Sequence, residues 1–332
     1  MNATLTTAPA ESTTTGPAHA PRQVRWLIRL HRPALLAGAA LVLLTAAALL
    51  WLAGPLADAS ATAWKQYNAC ALDDRCSYDQ DAILGYKDLY HYTTYAVLAV
   101  PFLVAAWAGG SLTGREMESG TARLAWTQGV SPARWLASRL AFPAALTAAA
   151  TGLLALLHRL AWTAGRGRID TALSWDHYPT FYANGTVPVA LALAGLAAGV
   201  LAGLLLRRAI AALAAAAVAV GALWAAVHSV LPHLWPAVTR VSSLREGARG
   251  DGIWVGQGVL TVDGDQVAAP CYTSMIPGCE ASLSDVQAIN FYRDFHPAAH
   301  YWPLQLVASA IVLAVAALLA YSAFRILRHR TP

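Results

Sequence analysis

The chain has 332 residues, 57% of them hydrophobic and only 12% charged, with a formal net charge of +5. Soluble domains carry about 25% charged residues, so an ordinary soluble enzyme or nucleic-acid binder is excluded. The apolar residues are gathered into runs near the roughly 20 residues that cross a bilayer core, which leaves an integral membrane protein.

In chain order, residues 1–20 form a Thr/Ala/Pro tract with almost no charge or bulky apolar residue, so a disordered tail is expected. Residues 21–32 follow, with Arg22, Arg25, Arg29 and Arg32 on one helical face and Val24, Leu27 and Leu30 on the other. That pattern predicts an amphipathic helix lying in the membrane interface, or else a plain basic flank. Pro33 separates it from the first apolar run.

Six spans are expected: Ala34–Ala53, Thr94–Ala108, Leu140–Leu157, Val187–Leu206, Ile210–Leu231 and Pro303–Phe324. Ala57-Asp-Ala-Ser-Ala61 looks like a signal-peptide cleavage site. The run before it is longer than the roughly 7–15 residues of a signal's apolar core, so an uncleaved first span is expected. Thr94–Ala108 is the shortest run, flanked by Tyr90, Tyr92 and Tyr95 as an interfacial belt, with Pro101 expected to kink it. In span four, Gly195, Gly199 and Gly203 recur every fourth residue. This small-xxx-small face allows close helix contact, within the chain or with a second copy.

Basic residues near span ends mark the inner side of a membrane. With both termini, loop 111–139 and the 207–208 turn inside, that side holds 13 basic and 3 acidic residues. The net charge is therefore a topology signal, and both termini are expected in the cytoplasm of a multi-pass cell-membrane protein. Cys70, Cys76, Cys271 and Cys279 all fall in the outer loops, where disulfides persist. Local pairs 70–76 and 271–279 are the first expectation, and a bridge between the two loops the second. The largest outer loop, 232–301, predicts a small mixed cap. It has a strand over Ile253–Val262, a hairpin turn at Asp263-Gly264, Asp265–Val267 returning, and a serine-capped helix over Ser282–Tyr292.

The segment Gly114–Arg139 is short, charged and helix-prone between two apolar runs. It carries Arg115-Glu116, Gly120-Thr121 and then Ser131…Arg134-Trp135, with Pro132 at a helix start where its missing N–H does no harm. This pattern resembles the second-to-third-span cytosolic loop of ABC-2 type transporter permeases, departing from it at Pro132 and Arg139. The interfacial helix and a cap between spans five and six resemble that family as well. The resemblance implies an all-α membrane protein of six spans, working as two permease subunits, identical or different, with two separate cytosolic ATPase subunits. The push of the ATPase would pass through Arg115–Trp126. Arg115, Glu116, Glu118 and Arg123 would pair across the interface, with Gly120 and Thr121 in the motif and Leu124 and Trp126 anchoring to the spans.

ATP hydrolysis needs a Gly-rich loop ending in Gly-Lys-Ser/Thr. The only lysines, Lys65 and Lys87, do not follow glycine, so ATP and magnesium are expected on the partner and no cofactor in this chain. The six predicted runs hold no Asp, Glu or Lys, which argues against an ion-driven carrier and fits a hydrophobic or amphiphilic cargo. His158 and His228 are expected at the outer interface. Two other readings stand beside the transporter: a non-transporting anchor whose cap binds a partner, and a lipid-modifying enzyme using His296 and His300.

Overall fold

The computed structural model describes residues 28–70 and 77–330; the tail 1–20, most of the 21–32 helix and Cys76 lie outside the described residues. Six helices are long and apolar enough to cross a membrane: α1 (Arg32–Asn68), α2 (Gln80–Glu118), α4 (Pro132–Gly165), α6 (Val187–Leu206), α7 (Ala209–His233) and α9 (Ala298–His329). Short helices α3 (Thr121–Thr127) and α5 (Tyr178–Ala183) lie between them.

The first two spans are much longer than their apolar runs predict. α1 passes through Pro55 by widening to a π turn over Leu52–Leu56, and continues through Ala57–Asn68. α2 starts far upstream of Thr94 because Asp79 Oδ1 accepts from the Ala82 N–H at 3.0 Å and caps the first turn. Its polar opening is held by Tyr86 and Tyr90, both buried against α1 and α4. α2 runs on through Pro101, then widens to a π segment over Ala108–Gly114 before ending at Glu118.

α6 is the hub of the bundle, its apolar residues buried against α2, α4, α7 and α9. Its three regularly spaced glycines make contacts within the chain. A Cβ on Gly195 would sit 2.6 Å from the Pro101 carbonyl oxygen, and one on Gly199 equally close to that of Ala105. One on Gly203 would strike Thr113. Absent side chains therefore let α6 lie directly on the backbone of α2 and its π segment, the close approach that stabilises helix pairs where lipid supplies no hydrophobic drive.

Between α7 and α9 stands an antiparallel sheet in the order β1-β4-β2-β3, made of β1 (Val238–Ser243), β2 (Ile253–Thr261), β3 (Gln266–Val267) and β4 (Ala288–His296). The hairpin at Asp263-Gly264 is present. The predicted Ser282–Tyr292 helix is not. Helix α8 spans Cys279–Asp285, and Gln287, at φ 51°, turns the chain into β4. From there the aromatic side chains of Phe291 and Phe295 go inward, where Phe291 packs with Val259, Cys279 and Leu283. That burial outweighs the local helix preference of the segment.

Cys271 and Cys279 are joined in a disulfide, and Cys70 is disulfide-bonded. Ile253 of β2 packs with Phe181, Val227, Leu231 and Tyr301, seating the sheet module on one end of the bundle. The other end carries α3 and the α6–α7 turn, with exposed Arg115, Arg123, Arg134, Arg207, Arg208, Arg325 and Arg328. We call it the basic end.

Candidate functional site

At the basic end the chain turns from α2 into α4, and the residues of the expected coupling loop are divided between two elements. Arg115–Glu118 is the last turn of α2. Gly120, in the left-handed region at φ 75°, then breaks the helix, and α3 starts at Thr121. The single lever over Arg115–Trp126 is thus a bent corner. Ser131 Oγ accepts from the Arg134 N–H at 3.3 Å, capping α4 with Pro132 in its first turn.

Glu116 points inward rather than out. It is buried beside the still more buried Arg139 of α4, which donates from Nη2 to Oε1 at 2.6 Å and to Oε2 at 2.9 Å, and from Nε to Oε2 at 3.3 Å. The Trp135 indole N–H donates to the same Oε2 at 3.2 Å. An ion pair withdrawn from water needs this dense set of donors to offset desolvation. Glu116 therefore joins α2 to α4. Its neighbour Glu118 joins α2 to α7: its Oε2 accepts from the Ala209 N–H at 2.9 Å, and α7 has no capping side chain from its own N-cap residue. Thr121 Oγ1 donates to the Glu116 carbonyl at 3.3 Å.

Arg115 and Arg123 are exposed, as is Leu124 at 58%. On the inner side of α3, Ala122 is buried with Trp135, Leu136, Leu204 and Leu327, and Trp126 sits edge-on to Trp135 at 5.7 Å. A crevice of about 40 Å³ runs beside Met117, Arg123, Trp126 and Arg207. The corner thus presents cations and one leucine outward, and is fastened to α2, α4 and α7 behind.

Toward the sheet end lies a polar cluster not read from the sequence. His158, expected at an interface, has no exposed surface. Its Nδ1–H donates to Asn184 Oδ1 at 2.6 Å, and its Nε2 lies 2.7 Å from Thr94 Oγ1. Gln305 of α9 donates to the Phe181 carbonyl at 2.6 Å and accepts from the N–H groups of Thr186 and Val187 at 3.0 and 3.2 Å. These residues satisfy backbone and side chains that lipid would leave unpaired. A lone glutamine in an apolar run is the signal that would have found Gln305. His228 is exposed and meets Tyr178 edge-to-face, ring centroids 4.3 Å apart. His296 is buried, its Nε2–H donating to the Pro232 carbonyl at 2.9 Å and its Nδ1 3.1 Å from His300 Nδ1. Burial holds its pKa below the usual histidine value. Both His296 nitrogens are engaged in fastening the sheet module.

Six apolar helices of spanning length around a glycine-lined hub, with a small sheet before the last one, define a multi-pass membrane protein. The chain belongs to the ABC-2 membrane transporter related family, whose model matches residues 38–231, from α1 through α7 and including the whole corner. It is a transporter permease of the ABC-2 type. No curated protein and no solved structure matches it.

Proposed function

We propose that this chain is the membrane subunit of an ATP-driven exporter, and that a separate cytosolic ATPase docks on the corner Arg115–Thr127. In this reading the basic end and both termini face the cytoplasm of a cell-membrane protein, following the density of arginines there. The sheet module then lies outside the cell, where its disulfide is at home. ATP and magnesium are bound by the ATPase. The cargo is hydrophobic or amphiphilic, and two permease subunits, identical or different, frame its path.

The observation that carries the proposal is the wiring of the corner. Its outward groups Arg115, Arg123 and Leu124 are free to meet a partner. The two carboxylates between them are each bonded to a different span, Glu116 to α4 and Glu118 to α7. A force applied to the outer face would therefore reach three spans at once. Glu116 acts as an internal strut, and the docking contacts fall to Arg115, Arg123 and Leu124.

The test is an Arg115→Glu/Arg123→Glu variant reconstituted with its ATPase in liposomes, with Arg325→Glu/Arg328→Glu as control. The corner variant is expected to lose ATPase association and transport-coupled turnover while the control keeps both. Full association and coupled turnover in the corner variant would remove the role from this surface.

A further inference from the structure

The sheet module holds a cleft of about 560 Å³, within the range of roughly 300–1,000 Å³ of small-ligand sites. Phe291 and Arg293 of β4 line it together with Gln257 of β2, residues 245–248, and a loop running from Ala268 to Met275. That loop is built to keep its shape. The Cys271–Cys279 disulfide fixes one side of it. The Ser274 N–H donates to the Leu244 carbonyl at 2.8 Å, and Thr273 Oγ1 to that of Arg245, also at 2.8 Å. Yet this pinned loop exposes Tyr272 at 77% and Met275 at 71%.

The charge in the cleft is equally unusual. The Arg293 guanidinium lies over the Trp254 ring at 4.0 Å. It donates from Nη2 to Gln257 Oε1 at 2.9 Å and from Nη1 to the Gly250 carbonyl at 3.3 Å. Its Nε–H is buried with no acceptor. Among the described residues no carboxylate lies within ion-pair distance of it, and Asp251 acts on it only through space. Arg245 adds a second cation, while Glu246 on the same rim is turned to Arg249 at 3.4 Å. A half-buried cation that no carboxylate neutralises calls for an anion. A rigid apolar rim calls for an apolar body, because large exposed side chains on a fixed loop gain by being covered.

We propose that this cleft binds an anionic amphiphile, its carboxylate or phosphate held by Arg293 and Arg245 and its apolar part laid against Tyr272 and Met275. A neutral apolar ligand would leave the charges of Arg293 and Arg245 uncompensated, and a bare inorganic ion would leave the rim in water. The site does not depend on whether a motor docks at the opposite end of the bundle, so the two readings fail separately.

The experiment is calorimetric titration of the full chain in phosphatidylcholine nanodiscs, with empty discs subtracted. The probes are octanoate, octyl phosphate, octanol, octyltrimethylammonium and inorganic phosphate. One saturable site per chain is expected for octanoate or octyl phosphate, with the other three weaker by about tenfold or more, as one charge-assisted hydrogen bond is worth. Arg293→Gln should weaken the anionic probe by a similar factor, and Arg245→Gln and Met275→Gln by less. Equal affinity for octanol would overturn the proposal. So would unchanged anion binding by Arg293→Gln and Arg245→Gln variants that keep the disulfide and the wild-type near-UV circular dichroism.

Discussion

Replacing Arg139 by Met removes the three charge-assisted bonds that reach Glu116 and, among the described residues, leaves its buried carboxylate with the Trp135 indole as side-chain donor. Both partners are almost wholly withdrawn from solvent, so the screening that reduces exposed pairs to about 0–1 kcal/mol does not apply. Breaking a buried pair from one side costs about 3–5 kcal/mol, most of it the stranded charge. The reasoning is checked by the double variant Glu116→Leu/Arg139→Met, which removes both charges. The Trp135 N–H then loses its carboxylate acceptor, at about 1–3 kcal/mol. Unfolding in mixed detergent micelles at increasing SDS fraction, followed by near-UV circular dichroism, should rank wild type above the double variant and the double variant above Arg139→Met. A single variant within about 1 kcal/mol of wild type, or a double variant no better than the single, would refute the buried-pair account.

Gly199→Leu should destabilise the bundle by about 1–3 kcal/mol or more. Its Cβ alone would lie 2.6 Å from the Ala105 carbonyl oxygen and 2.7 Å from the Gly109 nitrogen, backbone atoms that cannot step aside. Gly38→Ala, with nothing within 4 Å, should be neutral or gain about 0.5–1 kcal/mol in the same SDS titration. The hold of the sheet module should weaken in acid. His296 is kept neutral by burial, so its folded pKa lies below the unfolded value of 6.5, and the unfolded state takes up the proton first. Stability is intact above pH 6.5 and falls as pH drops below it. His300 and His233 facing the ring act in the same direction. Trypsin cleavage after exposed Arg245 and Arg249, divided at each pH by the protease's rate on a small arginine ester, should rise between pH 7.5 and 5 in wild type, and much less in His296→Gln. Reducing the Cys271–Cys279 bridge, which closes a loop of sequence separation 8, should cost the module about 2.5 kcal/mol, read as faster cleavage at the same arginines.

The six spans were legible because a bilayer core demands long uninterrupted apolar runs, and Asp263-Gly264 announced its hairpin through turn chemistry. The true lengths of α1 and α2 were hidden. Asp79 caps α2 a full polar stretch before its apolar run begins, and Pro55 is absorbed in a π turn that hydropathy does not register. β4 was misread because the helical pattern of Ser282–Tyr292 is locally sound, and only the pairing with β1 and β2 decides it. At the corner, the inward direction of Glu116 was hidden. Charge at position 116 reads as surface until Arg139, one helix away across a turn, is seen to lie against it. The Arg293 cleft gave no local signal, because its parts come from four separated segments.

The bond from Glu118 to Ala209 has a consequence for biogenesis. The first turn of α7 is completed by a carboxylate supplied 91 positions earlier in the chain. Synthesis runs from the N-terminus, so the hairpin of the second and third spans is already waiting when the later helix emerges. The older hairpin thus acts as a mould that tells the newcomer where to start. A Glu118→Ala chain would show its defect first as slow maturation and early degradation, before any change in the finished assembly.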